Sequence, residues 1–205
     1  AGSFSETTTA SFSVDTVLGA IDGASSETTS LDFQFNIGLS TSFTGEDSLD
    51  IAIDNGSGTP SVMSSDVMGF DSGTSLVVDG VTYSFPVGGA SMVVGDSTDL
   101  STAFTGACTY SAFTDLTPDD CGTGNSMGAG GKGVTAAMSY AFDSGFSLAG
   151  GVTSGNKEIL GDEADAFGLN AAYSADSYGV AVAYVSDDGG TATDTTYWGL
   201  NGYYT

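Results

Sequence analysis

Apolar and polar residues alternate strictly along Leu31, Phe33, Phe35, Ile37 and Leu39, with Asp32, Gln34, Asn36 and Ser40 between them. A period of two sends the two sets to opposite faces of a β-strand. After a polar turn at 44–47 the alternation resumes at Leu49, Ile51 and Ile53, interleaved with Asp50 and Asp54. This predicts a hairpin with one apolar face and one face carrying carboxylates. The pattern returns twice. Val134, Ala136, Met138, Tyr140 and Phe142 lead through a turn at 143–145 into Phe146, Leu148, Gly150 and Val152. Phe167, Leu169, Ala171 and Tyr173 lead through 174–177 into Tyr178, Val180, Val182 and Tyr184.

Two kinds of connection alternate. Tight turns near 44–47, 86–89, 143–145 and 174–177 are separated by longer Gly-, Ser- and Asp-rich stretches near 22–30, 54–80, 96–132, 154–164 and 186–195. Short turns on one side and long loops on the other predict an antiparallel up-and-down β-barrel of about ten strands, with both chain ends on the turn side. No apolar run approaches the about 20 residues a spanning helix requires. If the chain crosses a membrane, it does so with strands.

A soluble β-sandwich or lipocalin-like barrel also alternates. Two features argue for a membrane barrel instead. The apolar stripe contains many Gly and Ala, which suit lipid contact better than an interlocking core. Aromatic residues also gather at strand ends, among them Phe43, Tyr140, Phe142, Phe146, Tyr173, Tyr178, Tyr184, Trp198, Tyr203 and Tyr204, as interfacial girdles would.

Charge narrows the partners. The 205 residues carry 26 acidic and 2 basic side chains, Lys132 and Lys157, for a formal charge of −24. Nucleic acid is excluded, because phosphate binding needs basic groups, and so is a polybasic attachment to anionic lipid. With no His in the chain, no Gly-rich phosphate loop ending in Lys and no GxSxG, no catalytic constellation, cofactor or metal-ligand spacing emerges. The paired acids Asp119–Asp120 and Asp187–Asp188 lack the dry, differentiated environments of glycosidase carboxylates. Cys108 and Cys121 are too few for a zinc site. A local disulfide in an oxidising compartment is expected, with two unpaired loop cysteines as the alternative.

With these residues in view, the chain resembles the cyanobacterial outer-membrane porins known as iron-uptake porins and related to carbohydrate-selective porins. The resemblance is carried by Phe4–Phe12, Thr41–Leu49, Tyr83–Gly88, the cysteine pair in its loop and Thr196–Tyr204. It implies residence in the outer membrane of a Gram-negative-type, cyanobacterial cell, contact with outer-membrane lipid, and passage of small solutes or inorganic ions, iron among them. By analogy with porins as a class, a homo-oligomer, a trimer, is expected. The family's surface-layer-homology domain and coiled coil are not in this sequence, and its barrels look longer. Residues 1–205 are therefore expected to be one porin domain, either the N-terminal part of a larger barrel or, as the alternative, a closed ten-stranded barrel.

On this reading Asp32, Gln34, Asn36 and Asp50 face the lumen, where rings of carboxylates favour cations. The long loop 96–132 either folds inward to narrow the bore, as porin loops do, or covers the outer rim; the sequence is equally compatible with both, and the inward course is the one that makes a constriction. Asp115, Asp119, Asp120 and Lys132 are then constriction candidates, and a Cys108–Cys121 disulfide would stiffen them. Two other classes stay open. One is an acidic β-rich surface or filament protein whose strand edges pair between copies; the other is a soluble carbohydrate-binding β-domain.

Overall fold

The computed structural model describes residues 7–20, 29–57, 73–107, 133–159, 165–188 and 194–205. Ten strands form one antiparallel sheet in which every neighbour in sequence is a neighbour in space. They are β1 (Thr8–Ala20), β2 (Thr29–Thr41), β3 (Ser48–Gly56), β4 (Val77–Val87) and β5 (Ala90–Thr98), then β6 (Gly133–Ala141), β7 (Phe146–Ser154), β8 (Asp165–Ser174), β9 (Tyr178–Asp187) and β10 (Thr195–Tyr204). The expected meander of ten strands is thus observed. Among the described residues no second sheet packs against it, so the sandwich is not formed. The sheet is open, with β1 and β10 as its two edges.

The short connections follow local chemistry. Between β4 and β5, Gly88 and Gly89 have φ of 58° and 92°, two successive positive values that a two-residue turn matching strand twist requires and that glycine adopts without steric cost. Between β2 and β3, Asp47 gathers the turn. Its Oδ1 accepts from the Ser42 hydroxyl (2.8 Å), the Phe43 N–H (2.9 Å), the Thr44 N–H (2.7 Å) and the Thr44 hydroxyl (2.8 Å), and its Oδ2 accepts from the Tyr83 hydroxyl (2.7 Å).

Burial by itself works to raise the Asp47 carboxyl, but the hydrogen bonds from Thr44, Tyr83 and Ser42 outweigh it and hold the group well below the usual carboxylate range. A depressed folded-state value contributes stability that is present above the ordinary carboxylate value of about 4 and is lost only as pH falls through the depressed one. The β2–β3 turn is therefore expected to keep its amide protection at pH 4 and to lose it in stronger acid. Asp47→Asn, which cannot ionise, should exchange the Phe43 and Thr44 amides faster at neutral pH and show no such acid transition. Equal exchange in the two proteins would contradict this account of the turn.

The most exposed large apolar side chains lie on one face and touch no core. Phe12, Leu18, Leu31, Leu169, Trp198 and Leu200 are between 63% and 77% exposed. Register pairs them on that face at both ends of the sheet: Phe12 lies opposite Ile37 and Leu18 opposite Leu31, while Leu169 and Trp198 both lie opposite Tyr184 and Leu200 lies opposite Val182. So large an unpartnered apolar surface marks contact with lipid or protein. Aromatic pairs line its turn-side margin, with Phe43–Tyr83 centroids 6.2 Å apart and Phe146–Tyr173 4.7 Å apart, while Tyr184–Trp198 at 4.8 Å sits near the loop side. The strands run from 9 to 13 residues, long enough for the about 9–11 that a tilted spanning strand requires. No helix of the described residues is long and apolar enough to cross a membrane.

Candidate functional site

The opposite, inner face is where chemistry collects, and it divides into two halves. On β1 to β3 it is polar and acidic. Asp15 lies opposite Gln34, Asn36 opposite Asp54, and Ser40 opposite Asp50. All four sequence-predicted lumen residues, Asp32, Gln34, Asn36 and Asp50, therefore lie on the face opposite the apolar stripe. The Gln34 amide nitrogen donates to Asn36 Oδ1 at 3.1 Å, and the Ser48 hydroxyl donates to Asp50 Oδ2 at 2.8 Å. Asp32 and Asp54 are buried, at 5% and 7% exposure, whereas Asp15 and Asp50 are open. Small hydroxyl residues, Thr9, Ser11, Ser40 and Thr82, line a groove beside Asp50.

On β6 to β9 the inner face is small and uncharged apart from Asp187 at its loop-side end, and on β10 Tyr197 and Tyr203 pack against it. Thr135, Ala137, Ala149, Thr153, Ala166, Asn170, Ala172, Ala181, Ala183 and Val185 are all buried there, although the outer surface of the same strands is exposed. What covers them is the start of the long β5–β6 connection. Asp99 caps a short 3-10 helix, Leu100–Ala103, through the Ser101 N–H, and the chain leaves it extended at Phe104 and continues without regular structure to Ala107. Leu100, Ala103 and Phe104 form one buried cluster with Ala137, Ala149, Ala166, Ala183 and Val185. Gly168 leaves room for them, since a Cβ there would lie 2.7 Å from Phe104 Cζ and 2.8 Å from Leu100 Cδ1.

Hydrogen bonds fix this strap from end to end. The Thr135 hydroxyl donates to the Thr98 carbonyl at 2.9 Å and meets the Thr153 hydroxyl at 2.6 Å. Asn170 Oδ1 accepts from the Thr105 N–H at 2.8 Å, while its Nδ2 donates to the carbonyls of Thr105 and Val182, each at 3.1 Å. Asn201 Oδ1 accepts from the Ala107 N–H at 3.1 Å. Of the two courses open to the long loop, its described start, 99–107, takes the one across the inner face.

Cys108, Cys121, Asp115, Asp119, Asp120 and Lys132 lie outside the described residues. Lys157 places its Nζ 2.8 Å from Asp96 Oδ2, tying the end of β5 to the β7–β8 connection; at 67% and 47% exposure such a pair contributes little. Among the described residues no group of three or more Asp, Glu, Cys or His side chains is arranged to hold a metal. Asp15, Asp54, Asn170 and Asn201 belong to the inner face as well and were not among the expected site residues. For the two acids the period-two pattern already carried the signal.

No protein-family model matches the chain, and no curated protein sequence does. Solved structures of a porin from Rhodopseudomonas blastica match its fold. A triple variant of that porin superposes with a TM-score of 0.60 over 97% of this chain and 69% of its own length, at 15% identity. A second triple variant gives 0.53 over 94% and 68%, again at 15%. At that identity the likeness is one of fold: a porin-type antiparallel sheet, here left open.

Proposed function

We propose that this chain is the wall of an outer-membrane diffusion channel that passes small hydrophilic solutes and favours cations. The observation that supports the reading most is the two-faced sheet, with large apolar side chains exposed on one face of a porin-type fold and carboxylates facing the other way. Lipid satisfies the first face, and a water-filled bore satisfies the second. The inner acids Asp15, Asp32, Asp50 and Asp54, with no Arg in the chain, attract cations and repel anions. Inorganic cations, iron among them as the sequence resemblance implies, are the natural cargo, and no enzymatic step is involved. Asp115, Asp119, Asp120 and Lys132 would continue the strap toward the constriction, and a Cys108–Cys121 disulfide would hold it.

In hydrocarbon, unpaired edge N–H and C=O groups are costly, so β1 and β10 need partner strands. A larger barrel provides them within one wall, and a homo-oligomer, a trimer by analogy with porins, packs such walls side by side. The same open edges favour the second reading, an acidic filament whose sheets join edge to edge between copies. Reconstitution separates the two. Proteoliposomes holding the natively extracted protein are expected to swell in small neutral sugars and to release a trapped cationic dye faster than an anionic one. Tight vesicles, together with regular fibres in detergent-free buffer, would overturn the channel in favour of the filament.

A further inference from the structure

The two halves of the inner face differ in a way that bears on where solute travels. The strap 99–107 leaves the loop-side end of β5 and descends across the inner surface, meeting Asn170 midway along β8 and Asn201 in the lower half of β10. Every inner side chain it covers on β6 to β9 is small, apolar or a hydroxyl, apart from Asn170 itself. The acids of the described inner face below the loop-side rim are all on β1 to β3. We propose that Asn170, seconded by Asn201, is the clasp that holds the strap against the β6 to β10 wall, so that the open passage runs beside the acidic wall of β1 to β3. This rests on the channel reading and adds to it the location of the path and the residues that position it.

The chemistry of Asn170 fits a clasp. Its amide serves Thr105 twice, as acceptor and as donor, in the manner of a paired strand, and its third bond goes to the Val182 carbonyl on β9. It is 4% exposed, and a buried polar group keeps such bonds because losing them leaves its partners unsatisfied. Alanine could not replace any of the three. Aspartate keeps the acceptor for the Thr105 N–H but brings no donor for the two carbonyls, and it adds a charge to the apolar half.

The test uses two readouts on Asn170→Ala, Asn170→Asp and Asn201→Ala, each first checked for barrel folding by heat-modifiable electrophoretic mobility. Hydrogen exchange of the strap peptide is expected to accelerate about tenfold in Asn170→Ala, as befits the loss of a buried hydrogen bond, with Asn170→Asp and Asn201→Ala between it and the parent. That readout does not depend on conduction. In planar bilayers, folded Asn170→Ala is expected to show larger and noisier unitary steps with an unchanged sign of ion preference, since the acids of β1 to β3 are untouched.

Faster strap exchange with altered steps supports the clasp. Unchanged exchange overturns it, whatever the conductance. Faster exchange with steps identical to those of the parent overturns the location of the passage. Should the parent protein itself show no steps, the channel reading falls and the path with it, while the exchange result still decides whether Asn170 holds the strap.

Discussion

Replacing Leu169 by Arg is expected to destabilise the protein strongly in lipid bilayers, whereas Gln34→Arg is expected to leave its stability there near the parent's. Leu169 lies midway along β8 and is 63% exposed on the apolar face. An Arg at the bilayer midplane of a barrel costs about 2–4 kcal/mol, a large share of the stability of an ordinary fold. Gln34 is on the other face, opposite Asp15, where a cation meets carboxylates and water. Folding into lipid vesicles, followed by electrophoretic mobility across a urea series, reads the difference. The Leu169 variant should unfold at clearly lower urea, and the Gln34 variant should stay near the parent while losing cation preference. Equal behaviour of the two variants would mean that the exposed apolar face is not the lipid face.

The second large effect concerns charge on the inner wall. Neutralising Asp32, Asp50 and Asp54 together with Asn is expected to lower the cation-to-anion permeability ratio on the order of tenfold, since each unit charge a few ångströms away is worth about 1 kcal/mol even in water. Asn is nearly isosteric, so the wall keeps its shape, and the change should appear in the reversal potential under a salt gradient with little change in conductance at high salt, where screening is strong. Among the three, Asp50 is open and Asp32 and Asp54 are covered, so Asp50→Asn alone should show the largest single step. An unaltered reversal potential in the triple variant would remove the acidic wall from the selectivity of the pore.

Much of this was legible from the alternation alone. Asp32, Gln34 and Asn36 had to share a face because Phe33 and Phe35 intervene, and the sheet register leaves them there. Strand ends were less legible. Asp54, Asn55 and Gly56 read as turn formers, yet they stay in the ladder because β2 offers partners as far as Gln34, which lies opposite Gly56. Val77 and Val78 likewise join β4 across a register shift at Ala52/Ile53.

The strap was legible only as a long loop. Its docking depends on a single amide in a row of small residues, with Thr105 and Asn170 65 positions apart in sequence, and no periodicity announces such a pairing. Gly168 reads in sequence as one more small residue of a strand. Only the placement of Leu100 and Phe104 shows that its missing side chain makes room for them.

Single-channel recording of the natively extracted protein in a planar bilayer, under a salt gradient, tests the central claim most directly. Stable unitary steps whose reversal potential has the sign of a cation-preferring pore are the predicted result. Steps that prefer anions would contradict the acidic wall, and a bilayer that stays silent with inserted, folded protein would contradict the channel itself.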